Sequence, residues 1–171
     1  MMKIILETPR FILRQFTQAN APLIQQLNNA PEVLKYIPEP TLETTEQALK
    51  VLTDIILPQY KNNLGRWAVH LKNDNEFIGW CGLKWLKEND EIDLGYRFKP
   101  SVWGKGYATE AAQHTLNYGL QNLHFKKIVA HAHIDNIASQ KVLEKIGMQY
   151  IGEGVVDGIP LKGYVAINRN T

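Results

Sequence analysis

The stretch Ser101-Val102-Trp103-Gly104-Lys105-Gly106-Tyr107-Ala108-Thr109 joins two segments of different period. Upstream, Ile92 to Phe98 alternates as a strand does. Downstream, Ala108, Ala111, Ala112, Thr115 and Gly119 recur at helical spacing and predict a helix from about Tyr107 to Leu123. Glycines at such a corner enter backbone conformations closed to other residues, so that successive N–H groups face one concavity at a helix N-terminus. A concavity of that kind binds phosphate oxygens. Gly-x-Gly by itself more often only turns the chain, and two familiar phosphate motifs are excluded. A P-loop needs Gly-x-x-x-x-Gly-Lys-Ser/Thr. A dinucleotide fingerprint needs a third small residue near Thr109 and an acidic residue about 20 positions on, where Lys126 and Lys127 stand. The corner is therefore a candidate diphosphate cradle of another kind.

Working outward, Lys127 to Ile134 predicts the next strand, so the passage from Ile92 to Ile134 is expected to be a right-handed crossover joining parallel strands. Asn136 to Ile146 then reads as a helix ended by Gly147, followed by a strand from Met148 to Glu153, an Asp157-Gly158 turn and a strand near Gly163 to Ile167. Toward the N-terminus, Phe11 to Phe16 predicts a strand and Thr17 caps a helix reaching Asn28. A second helix runs from Thr44 or Thr45 to Leu57, with Pro58 expected to stop it. Arg66 to Leu71 and Phe77 to Trp85 predict an antiparallel pair in which Gly79 and Gly82 mark bulges. The fold class is α+β: a mostly antiparallel sheet with helices packed on it. No repeat, linker or low-complexity segment divides residues 1–171, which read as one domain.

A chain of 171 residues buries about 70% of the surface its unfolded form exposes, enough for one core. Its formal charge is +2 with no basic block, so nucleic acid is not an expected partner. The single cysteine, Cys81, lies in an apolar strand and reads as a buried, inert thiol. The N-terminal apolar run is too short for a signal sequence and nowhere do about 18 apolar residues run together, so a cytoplasmic protein without membrane contact is expected. Of the five histidines, His131 and His133 share a strand face, but no third ligand is near in sequence and no metal site is expected.

The glycine corner, the Asp93-Leu94-Gly95-Tyr96 strand before it and Asn136-Ile137-Ala138-Ser139 after the next strand resemble the Gcn5-related N-acetyltransferase (GNAT) superfamily. Within it, the chain is similar to the ribosomal-protein N-acetyltransferase-like (RimJ/RimL-type) branch. Thr8-Pro9-Arg10-Phe11-Ile12-Leu13-Arg14 looks like that branch's opening strand, and Glu144-Lys145-Ile146-Gly147-Met148 closes the later helix as the branch does. The resemblance implies a GNAT-like acyl-CoA N-acyltransferase fold whose parallel strand pair, Ile92 to Phe98 and Lys127 to Ile134, splays apart to admit the thioester. It implies that the amides of Gly104, Lys105, Gly106, Tyr107, Ala108 and Thr109 hold the diphosphate of acetyl-CoA. Arg97, Phe98 and Lys99 would pair with the pantetheine arm, which Asn136 reaches from the other side. Trp103 stands where many superfamily members have Gln or Arg, as is usual in the branch. Leu143 stands where many have a tyrosine proposed as general acid, and leucine donates no proton.

Acetyl transfer to an amine needs a neutral nucleophile and a proton for the departing thiolate. An α-amine of pKa about 7.8 is far easier to use at pH 7 than a lysine of pKa about 10.4. Asp93 is the candidate for accepting the amine proton, directly or through water; relatives often have Glu there, and the alternative is an ion pair with Arg97 on the same strand face. Ser139, supported by the branch resemblance, is the candidate for protonating the thiolate, with ordinary helix packing as the alternative. Backbone N–H groups near Phe98 are expected to polarise the thioester carbonyl. Trp67, Trp80, Trp85 and Tyr36 are candidates for lining an acceptor pocket, and Lys105 and Lys141 for meeting the ribose phosphate. The leading acceptor is a protein N-terminus, the alternative a small amine such as a polyamine, amino acid or antibiotic; a fold that binds acyl-CoA without turnover is a third reading. A monomer and a homodimer are equally compatible with the sequence.

Overall fold

The period-2 segments of the sequence all enter one sheet. The computed structural model describes residues 2–170. Its elements are β1 (Ile4–Glu7), β2 (Phe11–Gln15), α1 (Ala21–Asn28), α2 (Thr45–Val51), α3 (Leu57–Gln59), β3 (Gly65–Leu71), β4 (Phe77–Leu86), β5 (Glu91–Phe98), α4 (Tyr107–Asn117), β6 (Lys127–His133), α5 (Ile137–Lys145), β7 (Gln149–Val156) and β8 (Ile159–Ile167). The sheet order is β1-β2-β3-β4-β5-β6-β8-β7, with β5 and β6 parallel and the other neighbours antiparallel. The chain returns from the outer strand β7 to β8 through Asp157 and Gly158, both at positive φ (52° and 79°), the geometry of a two-residue hairpin whose twist matches its strands.

Both sheet faces are covered. On one, Phe11, Trp67, Cys81, Leu94, Phe98 and Ile128 pack with Ala111, Ala112 and Leu116 of α4 and Leu143 of α5. On the other, Ala68, Phe77 and Trp80 pack with Ile24 and Leu27 of α1, Ala48 of α2 and Ile56. Small residues bring α4 and its continuation close to the sheet: a Cβ on Gly119 would stand 2.6 Å from Ile128 Cδ1 and 2.9 Å from Leu83 Cδ1. The Cys81 thiol donates to Thr115 Oγ1 at 3.3 Å, and burial pushes its pKa up to about 12, so it stays an inert thiol. Among the described residues no helix is long and apolar enough to cross a membrane.

Three local expectations change. The run Ile4-Ile5-Leu6 forms β1, an edge strand paired with β2, which its shortness hid. Pro58 does not stop the second helix. The segment Leu52–Ile56 widens to a π turn, in which Leu57 N–H bonds Leu52 C=O five residues back, and the chain passes through Pro58 into α3. The wider turn absorbs the donor that proline lacks. At Gly79 the β3–β4 register slips as expected of a bulge, but Gly82 sits in regular pairing; a Cβ there would lie 1.8 Å from the Gly65 carbonyl oxygen, so it serves close approach of two strands.

Candidate active site

The parallel strands β5 and β6 pair only at Asp93–Val129 and Leu94–Ala130, although β5 continues to Phe98 and β6 to His133. Beyond Leu94 they part. Lys99 N–H bonds Ile78 C=O of β4 at 2.9 Å, so the alternation of an antiparallel ladder turns the backbone groups of Tyr96 and Phe98 the other way, toward the gap. There the Phe98 carbonyl accepts the Trp103 indole N–H at 2.9 Å. A cavity of about 860 Å³ lies over the gap, and Tyr96, Arg97, Phe98, His131 and Ser139 are among the residues that line it. That is the size of a small-molecule or cofactor site.

At one end of the cavity stand Gly104, Gly106, Tyr107, Ala108 and Thr109. Gly104 (φ +78°) and Gly106 (φ +77°) are left-handed, and Gly106 caps α4. Nothing lies within 4 Å of a Cβ built on Gly104, so the glycine is there for its backbone and not for space. Arg10 braces the corner from behind. Its Nη1 donates to the Lys105 carbonyl at 3.2 Å, its Nη2 to the Gly106 carbonyl at 3.4 Å, and its Nε to Glu110 Oε1 at 2.9 Å. In a planar trans peptide the C=O and the following N–H point oppositely. Holding those two carbonyls therefore turns the N–H groups of Gly106 and Tyr107 away from Arg10. Thr8 Oγ1 donates to Glu110 Oε2 at 2.8 Å; burial alone would raise the Glu110 pKa, but the bonds from Thr8 and Arg10 outweigh it and hold the carboxyl below its ordinary range. The brace spans 100 residues of sequence, and only the Thr8 to Arg14 segment of the family resemblance hinted at it. Lys105 contributes its carbonyl to Arg10, and Lys99 gives its N–H to β4 while its ammonium lies 5.5 Å from the Phe77 ring.

At the centre, alternation along β5 separates two groups of residues. Tyr96 points toward the helix α5, where its hydroxyl meets Ser139 Oγ at 3.0 Å, and burial pushes its phenol up to about 12. Asn136 caps α5 by accepting Ser139 N–H at 3.2 Å. Leu143 is buried in the core. On the opposite face Asp93 does not pair with Arg97, which bonds instead to Asn28 Oδ1 and Glu39 Oε2. Asp93 Oδ1 accepts from His131 Nδ1 at 2.9 Å. Burial raises the Asp93 pKa against the lowering effect of that bond, and the same bond raises the pKa of His131. His131 lines the cavity, and beyond it the Tyr36 and His133 rings stand 5.1 Å apart. Neither His131 as the partner of Asp93 nor Tyr96 as the partner of Ser139 was legible in sequence. The only signal was the shared face of His131 and His133. Of the four aromatic candidates, Tyr36 lines the cavity; Trp67 is in the core, Trp80 is buried near Arg97, and the exposed Trp85 bonds Asp90. Lys141 lines the cavity as well. Among the described residues no group of three or more His, Cys, Asp or Glu side chains is arranged to hold a metal ion.

A parted parallel strand pair, an amide-lined glycine corner at a helix start and titratable groups between them define an acyltransferase that uses acyl-CoA. The chain belongs to the GNAT acetyltransferases: the family model for the acetyltransferase (GNAT) domain matches residues 10–149. It is 34% identical over 150 residues to the uncharacterized N-acetyltransferase YoaA of Bacillus subtilis, covering 86% of this chain and 84% of that protein. The crystal structure of a GNAT-family acetyltransferase from Bacillus anthracis superposes with a TM-score of 0.83 at 25% identity, covering 99% of this chain and 100% of that one. RimL, a ribosomal L7/L12 α-N-protein acetyltransferase solved with coenzyme A, shares the fold at a TM-score of 0.83 and 19% identity over 96% of this chain and 98% of that one. The protein is thus an acetyl-CoA-dependent N-acetyltransferase of GNAT type.

Proposed function

We propose that the protein transfers the acetyl group of acetyl-CoA directly, without an acyl-enzyme, to the α-amine of a protein N-terminus. The observation that carries this is the fork between β5 and β6, which opens a donor path from the glycine corner to a point flanked by the Asp93–His131 and Tyr96–Ser139 pairs. In this proposal the amides from Gly104 to Thr109 hold the diphosphate, and the backbone of Arg97 to Lys99 lies along the pantetheine arm, with Asn136 opposite. The amine nitrogen attacks the thioester carbonyl, the C–S bond breaks, and the N-acetyl product and a thiolate result. His131, oriented by Asp93 through Nδ1, takes the amine proton at Nε2; Ser139, held by the Tyr96 hydroxyl, relays a proton from water to the thiolate, so that Ser139 ends as a hydroxyl and the thiol leaves neutral. A Phe98 N–H facing the gap stabilises the developing oxyanion. Fold similarity to RimL and to a ribosomal-protein-S5-alanine acetyltransferase of Vibrio fischeri supports an N-terminal acceptor, as does the smaller deprotonation an α-amine requires.

Thiol release from acetyl-CoA tests this against three acceptor sets: peptides with a free α-amine and no lysine, N-blocked peptides with lysine, and polyamines. The α-amine peptides are expected to be turned over fastest. Faster release with polyamines would move the acceptor to the small-amine class, and tight coenzyme A binding without release for any amine would leave a sensor. Because the bond to Asp93 raises the His131 pKa and the base must be unprotonated, activity is expected to rise with pH through that raised value. Asp93→Asn is expected to move this limb to lower pH and cut turnover while leaving acetyl-CoA affinity nearly unchanged; unaltered turnover and pH profile would remove the pair from the mechanism.

A further inference from the structure

One wall of the cavity holds a buried arginine whose donors are not all paired. Arg97 lines the cavity yet is only 7% exposed. Its Nη1 donates to Asn28 Oδ1 and to Glu39 Oε2, but its buried Nε has no hydrogen-bond partner. A second guanidinium shares its aromatic neighbour: Arg66 on β3 and Arg97 on β5 lie 4.8 Å and 5.5 Å from the ring centre of Trp80 on the strand between them. The Arg66 pKa is lowered, first by burial and then by the charge of Arg97, with Glu39 acting the other way. The Glu39 side chain is 46% exposed, so the one carboxylate paired with Arg97 is half-solvated. A buried donor left unmade and two like charges together both disfavour the site as it stands. An arriving anion relieves both.

The face on which this happens names the molecule that brings the anion. Arg97 and Asp93 alternate to the same side of β5, whereas Tyr96 and its partner Ser139 are on the other. The diphosphate of the donor is assigned to the glycine corner, so the acceptor is left to approach from the Arg97 side. We infer that Arg97, backed by Arg66, binds a carboxylate carried by the acceptor, and that the preferred acceptor is an amine with a carboxylate a few bonds from the nitrogen. This rests on the acetyl transfer proposed above. Guanidinium–carboxylate pairs are charge-assisted and directional, and a site built around such a pair rejects a ligand that lacks the partner. The carboxylate has two sources: an acidic side chain beside a peptide N-terminus, or the α-carboxylate of an amino acid.

Matched acceptor pairs test it in the thiol-release assay on the full chain at saturating acetyl-CoA. One pair is a peptide beginning Ser-Glu against the same peptide beginning Ser-Gln; the other is an amino acid against its α-amide. The carboxylate member of one pair is expected to have a kcat/KM at least about tenfold higher, and the pair that shows it identifies the source. Arg97→Gln is expected to bring that ratio to about one and Arg97→Lys to restore part of it. The wild-type ratio needs no variant, so poor folding of Arg97→Gln does not leave the question open. Release with both members at equal kcat/KM in both pairs overturns the inference and leaves amine acetylation standing. No release with any amine refutes the acetyl transfer itself.

Discussion

Replacing Gly104 by alanine separates the backbone role of the glycine corner from general stability, provided a matched glycine is replaced elsewhere. Gly147, after α5, is that match. Gly104 has φ +78° and Gly147 φ +88°, and a Cβ on either meets nothing within 4 Å. Each substitution therefore costs only the left-handed backbone, about 1–2 kcal/mol. The two sites dispose of this strain differently. At Gly147 the backbone is tied, with its own N–H on Glu144 C=O at 3.0 Å and Met148 N–H on Leu143 C=O at 3.1 Å. The strain there stays in the folded state and lowers Tm by roughly 2–8 °C for a chain of this size. Gly104 is exposed and makes no hydrogen bond of its own among the described residues; the ties lie on its neighbours, Trp103 to Phe98 and Pro100 and Lys105 to Arg10. Alanine there lets the corner relax locally, with a smaller change in Tm. Binding a diphosphate must then pull the loop back, so coenzyme A affinity falls about 5- to 30-fold, the equivalent of 1–2 kcal/mol. Thermal scanning and calorimetric titration with coenzyme A on both variants measure the two quantities. Gly147→Ala is expected to bind coenzyme A within about twofold of wild type, by the same additivity that separates distant sites. A Gly104→Ala protein with lowered Tm and intact coenzyme A affinity would refute the idea that this backbone conformation holds the diphosphate.

Two further outcomes are expected. The Glu110 carboxyl is held below its ordinary value of 4.5, so its contribution to stability is present above that pH and is lost as pH falls through the lower folded value. Glu110→Gln should therefore flatten the acid side of the Tm–pH curve and weaken coenzyme A binding severalfold through the loosened Arg10; because Arg10 is 44% exposed the stability effect should stay within about 1 kcal/mol and shrink in high salt. Gly82→Ala would press a methyl against the Gly65 carbonyl at 1.8 Å, where both partners are backbone and neither can turn aside, so a loss of about 3–5 kcal/mol is expected. Gly154→Ala, with open space around it, is the control, and a Gly82→Ala Tm within about 2 °C of wild type would contradict this account of the close strand approach.

Legibility followed the range of the interaction. The succession of elements from β3 to β8 along the chain could be read because alternation, the small-residue face of α4 and glycine signals are local, and the parallel pairing of β5 with β6 follows from a helix between two strands; that β8 inserts between β6 and β7 was not legible. Pro58 misled because a missing N–H breaks an α turn, whereas the chain here widens to a π turn before it. The pairing partners at the site were hidden for a different reason. A hairpin sets its own register through its turn, but β5 and β6 are parallel and 38 residues separate Asp93 from His131, so no turn residue announces that their side chains meet. Arg10 and Glu110 are farther apart still, and each reads locally as an ordinary surface charge. Alternation puts Tyr96 on the face opposite Asp93, but that it reaches Ser139 depends on how α5 leans on the sheet.

In the proposed mechanism, alternation on β5 also lets two substrates meet without a covalent intermediate. Leu94, Tyr96 and Phe98 face α4 and α5; Asp93, Gly95 and Arg97 face α1 and α2, where Gly95 lies beneath Trp80 and a Cβ on it would come within 3.5 Å of the ring. Between these faces, where β6 has peeled away, the edge of β5 offers the backbone groups of Tyr96 and the N–H of Phe98, the Phe98 carbonyl being taken by the Trp103 indole. An amide-rich arm can lie along that edge as an added strand while each face remains separately reachable. On the proposed roles, the Tyr96–Ser139 pair and the Asp93–His131 pair then approach one carbonyl from opposite sides. A one-residue slip of β5 would exchange the two faces, and the eight paired positions of β4 and β5, from Gly79–Phe98 to Leu86–Glu91, oppose that slip. The long β4–β5 ladder thus sets more than the core, because the same register that buries Leu94 and Phe98 decides which side of the fork Asp93 and Tyr96 face.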